Sequence, residues 1–397
     1  MQTSKKYRVT LLGEKDNGKS TLLGKLLLLT GAASKERIDD AKGNMFGGRF
    51  EPAFLLDNFS EERQNGLTLD STKASIFYKD RSLEFTDVPG HEELIKNMLS
   101  GASESKAAVF VVSANKGEGF TSQAKRHLDV AVLLEMKSIV VAINKIDAVG
   151  YSQDRFNLIR KDILNYLSRL DFEGKVTFIP VSAYDGDNLV ERSKRTPWYH
   201  GMAVLDAVVR AAETEKPQRR SNRLRILVQG EVQNEKHTLF LGRVCSGRAS
   251  QGSRLSVEPG HGDTKIAALF VDGSKAEHAN SGKNISLSLG RGVRPKKGSV
   301  LYGDRCKPHT LLVVKAKLFI IDNTGMVRPD NASIKINNTT VGVNDISIVK
   351  SRVDCNIADA QLTLDKEYPI ERFETVPELG RFLLYSGRSL AGIGVVQ

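Results

Sequence analysis

In the first half of the chain, short apolar runs alternate with segments of helical period. Tyr7 to Leu12, Ala107 to Ser113, Ser138 to Ile143 and Val176 to Pro180 are continuous apolar runs of the kind buried in the middle of a sheet. Leu22 to Leu29 and Thr121 to Met136 carry the helical pattern, and Ser71 to Tyr78 and Ser82 to Asp87 read as strands around a turn at Lys79-Asp80. This alternation predicts a mostly parallel sheet wrapped by helices over residues 1–214. The polar stretch Glu213 to Arg220 reads as a linker, and beyond it the period shortens to β runs with glycine turns: Leu224 to Val228, Thr238 to Val244, Arg254 to Val257, Lys265 to Val271 and Asn284 to Leu289. A second break, Gly303 to Pro308, precedes another β series that ends in Leu390 to Val396. The expectation is an α/β domain followed by two all-β barrel domains, residues 222–303 and 309–397.

The chemistry sits at the ends of the first strands. Gly13-Glu14-Lys15-Asp16-Asn17-Gly18-Lys19-Ser20-Thr21 has the spacing of a phosphate-binding loop, set between a strand and a helix as that motif requires. Successive backbone N–H groups and a helix N-terminus can there hold phosphate oxygens, with Lys19 reaching the β/γ-phosphates and the Ser20 hydroxyl serving as a Mg2+ ligand. The long segment Gly31 to Asp70 ends in Gly66-Leu67-Thr68, where Thr68 can bring a second hydroxyl to Mg2+ when a γ-phosphate is bound. Asp87, at a strand end, would hold Mg2+ through water; the Gly90 N–H would meet the γ-phosphate, and His91 follows it. Asn144-Lys145-Ile146-Asp147 follows another strand. The Asp147 carboxylate can accept both N1–H and the exocyclic amine of guanine, a pair adenine does not offer, while the Asn144 amide reaches the O6/N7 edge. Ser182-Ala183 would add a backbone N–H to the same base. GTP and GDP are therefore the expected ligands, with Mg2+.

Composition narrows the context. No apolar run reaches the roughly 18 residues of a membrane span, and Met1 to Arg8 lacks a secretory apolar core, so the expected location is the cytoplasm. Cys245, Cys306 and Cys355 are far apart, which argues against a disulfide framework or a zinc knuckle. The net charge of +11 falls almost wholly beyond Lys216: 27 Lys+Arg stand there against 17 Asp+Glu, while residues 1–216 carry 31 against 30. Such a basic half suits RNA or an acidic protein partner, and equally a solvated face.

With these residues in place, the chain resembles the superfamily of translation-factor GTPases over its full length: a P-loop GTPase domain followed by two β-barrels. The first domain is also similar to the GTPase subunit of bacterial sulfate adenylyltransferase, through Leu55-Leu56-Asp57, Glu61 to Gly66, Lys125-Arg126-His127, Tyr151-Ser152, Gly186-Asp187-Asn188 and Pro197 to Gly201. The third domain resembles elongation factor 1-alpha in Phe373 to Phe382. The resemblance implies that His91 positions the attacking water and that Asp16 helps hold a monovalent cation such as K+. Lys15 departs from the family pattern, which has a small apolar residue there. Two partner readings follow. The favoured one is a catalytic adenylyltransferase subunit, with GTP hydrolysis coupled to adenylyl transfer from ATP to sulfate. The alternative is tRNA and the ribosome, with delivery of aminoacyl-tRNA or a release or rescue factor. Against the second stand a compact third domain and a short connection at Ile357 to Leu362, where the resemblance implies more chain in a tRNA carrier. In both, the protein is a two-state switch.

Overall fold

The computed structural model describes residues 5–36, 38–39, 51–56, 72–87, 107–213, 221–233, 238–260, 262–290, 292–303, 306–321, 331–337, 339–351 and 355–397. They form two compact units, one built on residues 1–216 and the other on 217–352 and 356–397.

The first unit runs β1 (Lys5–Leu12), α1 (Lys19–Leu29), β2 (Thr72–Tyr78), β3 (Arg81–Asp87), β4 (Ala107–Ser113), α2 (Ser122–Leu133), β5 (Ser138–Asn144), α3 (Gln153–Arg169), β6 (Lys175–Pro180) and α4 (Val204–Glu213). The sheet order is β2-β3-β1-β4-β5-β6, parallel except for the β2–β3 hairpin. Every position of β4 and β5 is buried, which is why both read as unbroken apolar runs. The chain leaves β1 toward β3 on one side of the sheet and later returns to β4 on the other. Loops following β1, β4 and β5 therefore converge on the crevice where open α/β sheets bind ligands, and β3 ends beside it. The registers Leu11↔Asp87, Leu12↔Phe110 and Ser113↔Asn144 bring those strand ends level.

The helix expected from Thr121 to Met136 is shorter at both ends. Thr121 is its cap, accepting from the Ala124 N–H at 3.1 Å. Glu135 takes a left-handed φ of 55° while the Met136 N–H turns back to the Ala131 carbonyl, which stops the helix at Leu133. Helices α3 and α4 were not among the sequence-based expectations. Their signal is present, since Phe156, Ile159, Ile163 and Tyr166 recur at helical spacing and are the buried residues of α3, behind a Ser152 cap.

The second unit is all β. In its first part the strand order is Arg254–Glu258, Val300–Gly303, Arg225–Gln233, Thr238–Ser246, Asn284–Leu289 and Asp263–Val271, and pairing of the first with the last joins the run into a ring. The second part is a closed barrel of Thr310–Ile320, Ile357–Pro369, Thr339–Ser351, Ala332–Ile336, Arg381–Ser386 and Ser389–Val396. Ile357 to Leu362 is thus no connection: it begins a long strand paired on both sides.

Inside this unit Arg225 donates from Nε to Glu371 Oε1 at 2.7 Å and from Nη1 to the Leu224 carbonyl at 3.1 Å. The two side chains are only 2% and 9% exposed. Removing one member strands the other charge away from water, so Glu371→Ala should cost about 3–5 kcal/mol, read by chemical denaturation. A loss below about 1 kcal/mol, the range of exposed pairs, would mean that solvent reaches the pair.

Candidate functional site

The Gly13–Thr21 loop bends where its glycines permit. Gly13 has φ 139°, and a Cβ there would lie 2.3 Å from the Val111 carbonyl oxygen, while Gly18 has φ 88° and a Cβ 2.4 Å from Asn144 Nδ2. Any other side chain at either position is strained and overlapped at once. Gly18 also precedes α1, whose first turn has neither a side-chain cap nor an acidic residue. The helix N-terminus is left to whatever anion can meet its backbone N–H groups.

Lys19 is buried, and its ammonium donates to the carbonyls of Gly13 at 2.7 Å and Glu14 at 2.9 Å. Burial lowers its pKa; the charges of Asp87, Asp16 and Glu14 act in the opposite direction. The carboxylate of Asp87 therefore acts on the loop from the end of β3. Asp16 is exposed at φ 66°, and Lys15 is exposed as well. Ser20 stands half-buried in the first turn of α1. Thr21 donates from Oγ1 to Glu51 Oε1 at 2.9 Å, and Glu14 accepts from the Thr121 hydroxyl at the start of α2. Thr68, Gly90 and His91 lie outside the described residues.

Asn144 is 3% exposed and bonded to two loops: Nδ2 donates to the Asn17 carbonyl at 2.8 Å, and Oδ1 accepts from the Ala183 N–H at 2.9 Å. These bonds tie the phosphate loop to Ser182-Ala183 and leave the amide a second N–H and a second oxygen lone pair. Ser182 is buried, with Oγ accepting from the Asp185 N–H at 3.3 Å. Lys145 sits at φ 60° and pairs with Glu118 at 3.1 Å. Asp147, exposed at the start of a 3-10 turn, is the carboxylate left facing outward.

A second shell of contacts holds these loops together. Tyr151 donates to Asp187 at 2.9 Å, Arg195 donates to the Tyr151 hydroxyl at 2.8 Å and to Asp185 at 2.6 Å, and Trp198 donates to the Tyr151 carbonyl at 3.0 Å. Burial, then the Asp187 partner, pushes the Tyr151 phenol up to about 12 despite the opposing Arg195. Arg155 of α3 donates to the Ala114 and Asn115 carbonyls, both at 2.8 Å. Tyr151, Asp187 and Trp198 entered the sequence reading only through resemblance, and Arg155 and Arg195 not at all. The Ser152 cap followed by a helical period is the signal that places Arg155.

The profile of the elongation factor Tu GTP binding domain matches residues 5–214. The chain belongs to the elongation factor Tu-type GTPases. Elongation factor 1-alpha of Pyrobaculum islandicum is 31% identical over 419 aligned residues, covering 98% of this chain and 94% of that protein. That of Methanosphaera stadtmanae is 32% identical, covering 80% and 76%. Among solved structures, the GTP-bound GTPase-like domain of S. cerevisiae Ski7 matches with a TM-score of 0.65 at 16% identity, over 99% of this chain and 97% of that one, a likeness of fold. No described helix is long and apolar enough to cross a membrane.

In this GTPase the Lys125-Arg126-His127 stretch lies on α2, with His127 3% exposed and its Nδ1 without a hydrogen bond among the described residues. Burial, aided by the Lys19 charge, lowers its pKa from 6.5 to about 4. The imidazole is neutral in the fold and charged in the unfolded chain between those values, so its contribution is intact above pH 6.5 and is lost as pH falls toward 4. Between pH 7 and 4.5 this one residue should remove about 2–3 kcal/mol. His127→Leu should flatten the acid limb of the stability curve by that amount; equal slopes in the two proteins would refute a neutral buried histidine.

Asn144→Ala removes both hydrogen bonds that join the loops. A loss of about 2 kcal/mol of stability is expected, with faster GDP release in a fluorescent-GDP chase. An unchanged release rate would show that the loops are held by other contacts.

Proposed function

We propose that this GTPase is a translation factor of the elongation factor 1-alpha type, which carries aminoacyl-tRNA or a release or rescue factor to the ribosome in its GTP form. The observation that carries the proposal is the end-to-end likeness to elongation factor 1-alpha, through both β bodies and not the nucleotide domain alone. The sulfate-activation reading rested on stretches of the first domain, and the relatives found favour translation over it. The excess of basic residues beyond Lys216 supports an RNA-bearing partner.

In this reading Gly13, Asp16, Asn17, Gly18, Lys19, Ser20 and Thr21 form the phosphate cradle. Two observations fit the cradle to a polyphosphate: the uncapped start of α1 and a buried ammonium whose hydrogen-bond partners among the described residues are main-chain carbonyls. Lys19 would exchange those carbonyls for phosphate oxygens. Ser20, Thr68 and Asp87 are the residues that would hold Mg2+; Ser20 opens α1, and Asp87 stands level with Leu11 just before the loop. A bound Mg2+ supplies neutralisation of the charge on the β- and γ-oxygens. Asp147 selects guanine, and Lys145 lies along the base with Ser182 and Ala183 closing the loop behind it. Asn144 holds the loops and turns its second Nδ2 hydrogen to the base edge. Gly90 meets the γ-phosphate, His91 orients the water, and Asp16 is the carboxylate for a monovalent cation. The chemistry is mainly positioning, so the protein's task is to keep these groups in place before GTP arrives.

The test is GTP turnover by the full chain with and without ribosomes, at stated salt, beside retention of tRNA by the GTP-analogue form. Stimulation by ribosomes of about 10²-fold or more, the scale of gain from completing such a site, is the expected result. GTPase activity that responds instead to ATP and sulfate with a copurifying ATP-using protein would restore the sulfate reading.

A further inference from the structure

Among the described residues the sheet of the first unit ends on β6, whose outer side pairs with no other described strand. Beside it lies a groove of ≈ 650 Å³ between α3 and the Trp198–Met202 segment, within the size range of ligand clefts. Its walls are aromatic: the Phe156 and Trp198 rings stand 5.2 Å apart, Trp198 and Tyr199 6.4 Å, and Arg160 lies over Phe178 at 5.7 Å from the ring centre. The charge of the lining is one-sided. Arg160 and Arg210 contribute to it, and no carboxylate does among the described lining residues.

We propose that this groove receives an extended, acidic segment of a partner protein with apolar side chains at alternate positions. An unpaired strand edge offers main-chain hydrogen bonds to an added strand, and the two-residue period of that strand would turn one set of side chains toward the aromatic wall. Acidic residues flanking those anchors would meet the exposed Arg160. Single-stranded nucleic acid suits the geometry less well. It is held by stacking bases on open ring faces, whereas Arg160 covers the face of Phe178 and Phe156 is only 5% exposed. The inference is independent of the ribosomal reading, since it uses no nucleotide-binding residue and no residue of the second unit.

Trp198 is the only tryptophan of the chain, so tryptophan emission arises at the wall of this groove, and the nucleotide state is held fixed because Trp198 also bonds the Tyr151 carbonyl. The full chain is titrated with a short peptide alternating Glu with Leu and Phe, and with the same peptide carrying Lys in place of Glu. The Glu peptide should shift Trp198 emission saturably, and the Lys peptide should not. Arg160→Glu, on the exposed face of α3, should weaken the Glu peptide about tenfold, with GDP binding measured in parallel to show that the variant is folded. A flat response to the Glu peptide, equal binding by the variant, equal binding of the Lys peptide, or a response confined to an oligouridine probe would each overturn the proposal.

Discussion

The nucleotide half of this protein depends on one buried carboxamide. Asn144 stands at the end of β5, in register with Ser113 of β4, and from there reaches the Asn17 carbonyl on one side and the Ala183 N–H on the other. Three loops from distant parts of the chain are thereby held at one height above the sheet. The same side chain makes Gly18 necessary, because a Cβ at that position would overlap Nδ2. A buried amide with both ends satisfied stabilises the arrangement, and one with a single end satisfied would disfavour it, so the loops are coupled more tightly than their separate contacts suggest.

Lys19 makes use of that rigidity. A desolvated ammonium is unfavourable, and the fold tolerates it by supplying two carbonyl acceptors and the fields of Asp87, Asp16 and Glu14. The start of α1 is left without a capping side chain on the same side. Cation, helix terminus and glycine bends together favour a polyphosphate that would satisfy all of them at once, which is preorganisation in the electrostatic sense. The outer contacts of Tyr151, Arg195, Asp187 and Trp198 hold the base-side loops as Asn144 holds the phosphate side.

The second unit is organised by closure. A ring and a barrel remove nearly all free strand edges, which suits a region rich in exposed polar and basic side chains. The buried Arg225–Glu371 pair lies within this unit, where polar groups taken out of water must find each other. By contrast, β6 of the first unit keeps a side open among the described residues, and it is there that aromatic and basic side chains gather.

Much of this was legible without coordinates. Unbroken apolar runs at β4 and β5 identify buried parallel strands because both faces are covered, and a glycine-rich loop between a strand and a helix identifies a phosphate site because few other residue types can make that bend. Tertiary structure decided what further bonds such residues make. Asn144 has the chemistry to contact a base, and packing adds to it the loops on either side, each bonded to one end of its amide. His127 reads as an ordinary helix residue until burial beside Lys19 makes it neutral. The end of α2 at Leu133 and the strand that begins at Ile357 depend likewise on a turn and on two flanking strands. Local sequence determines which conformations and bonds a residue can adopt; only packing determines which partner reaches it first, because that depends on chain segments far away in sequence.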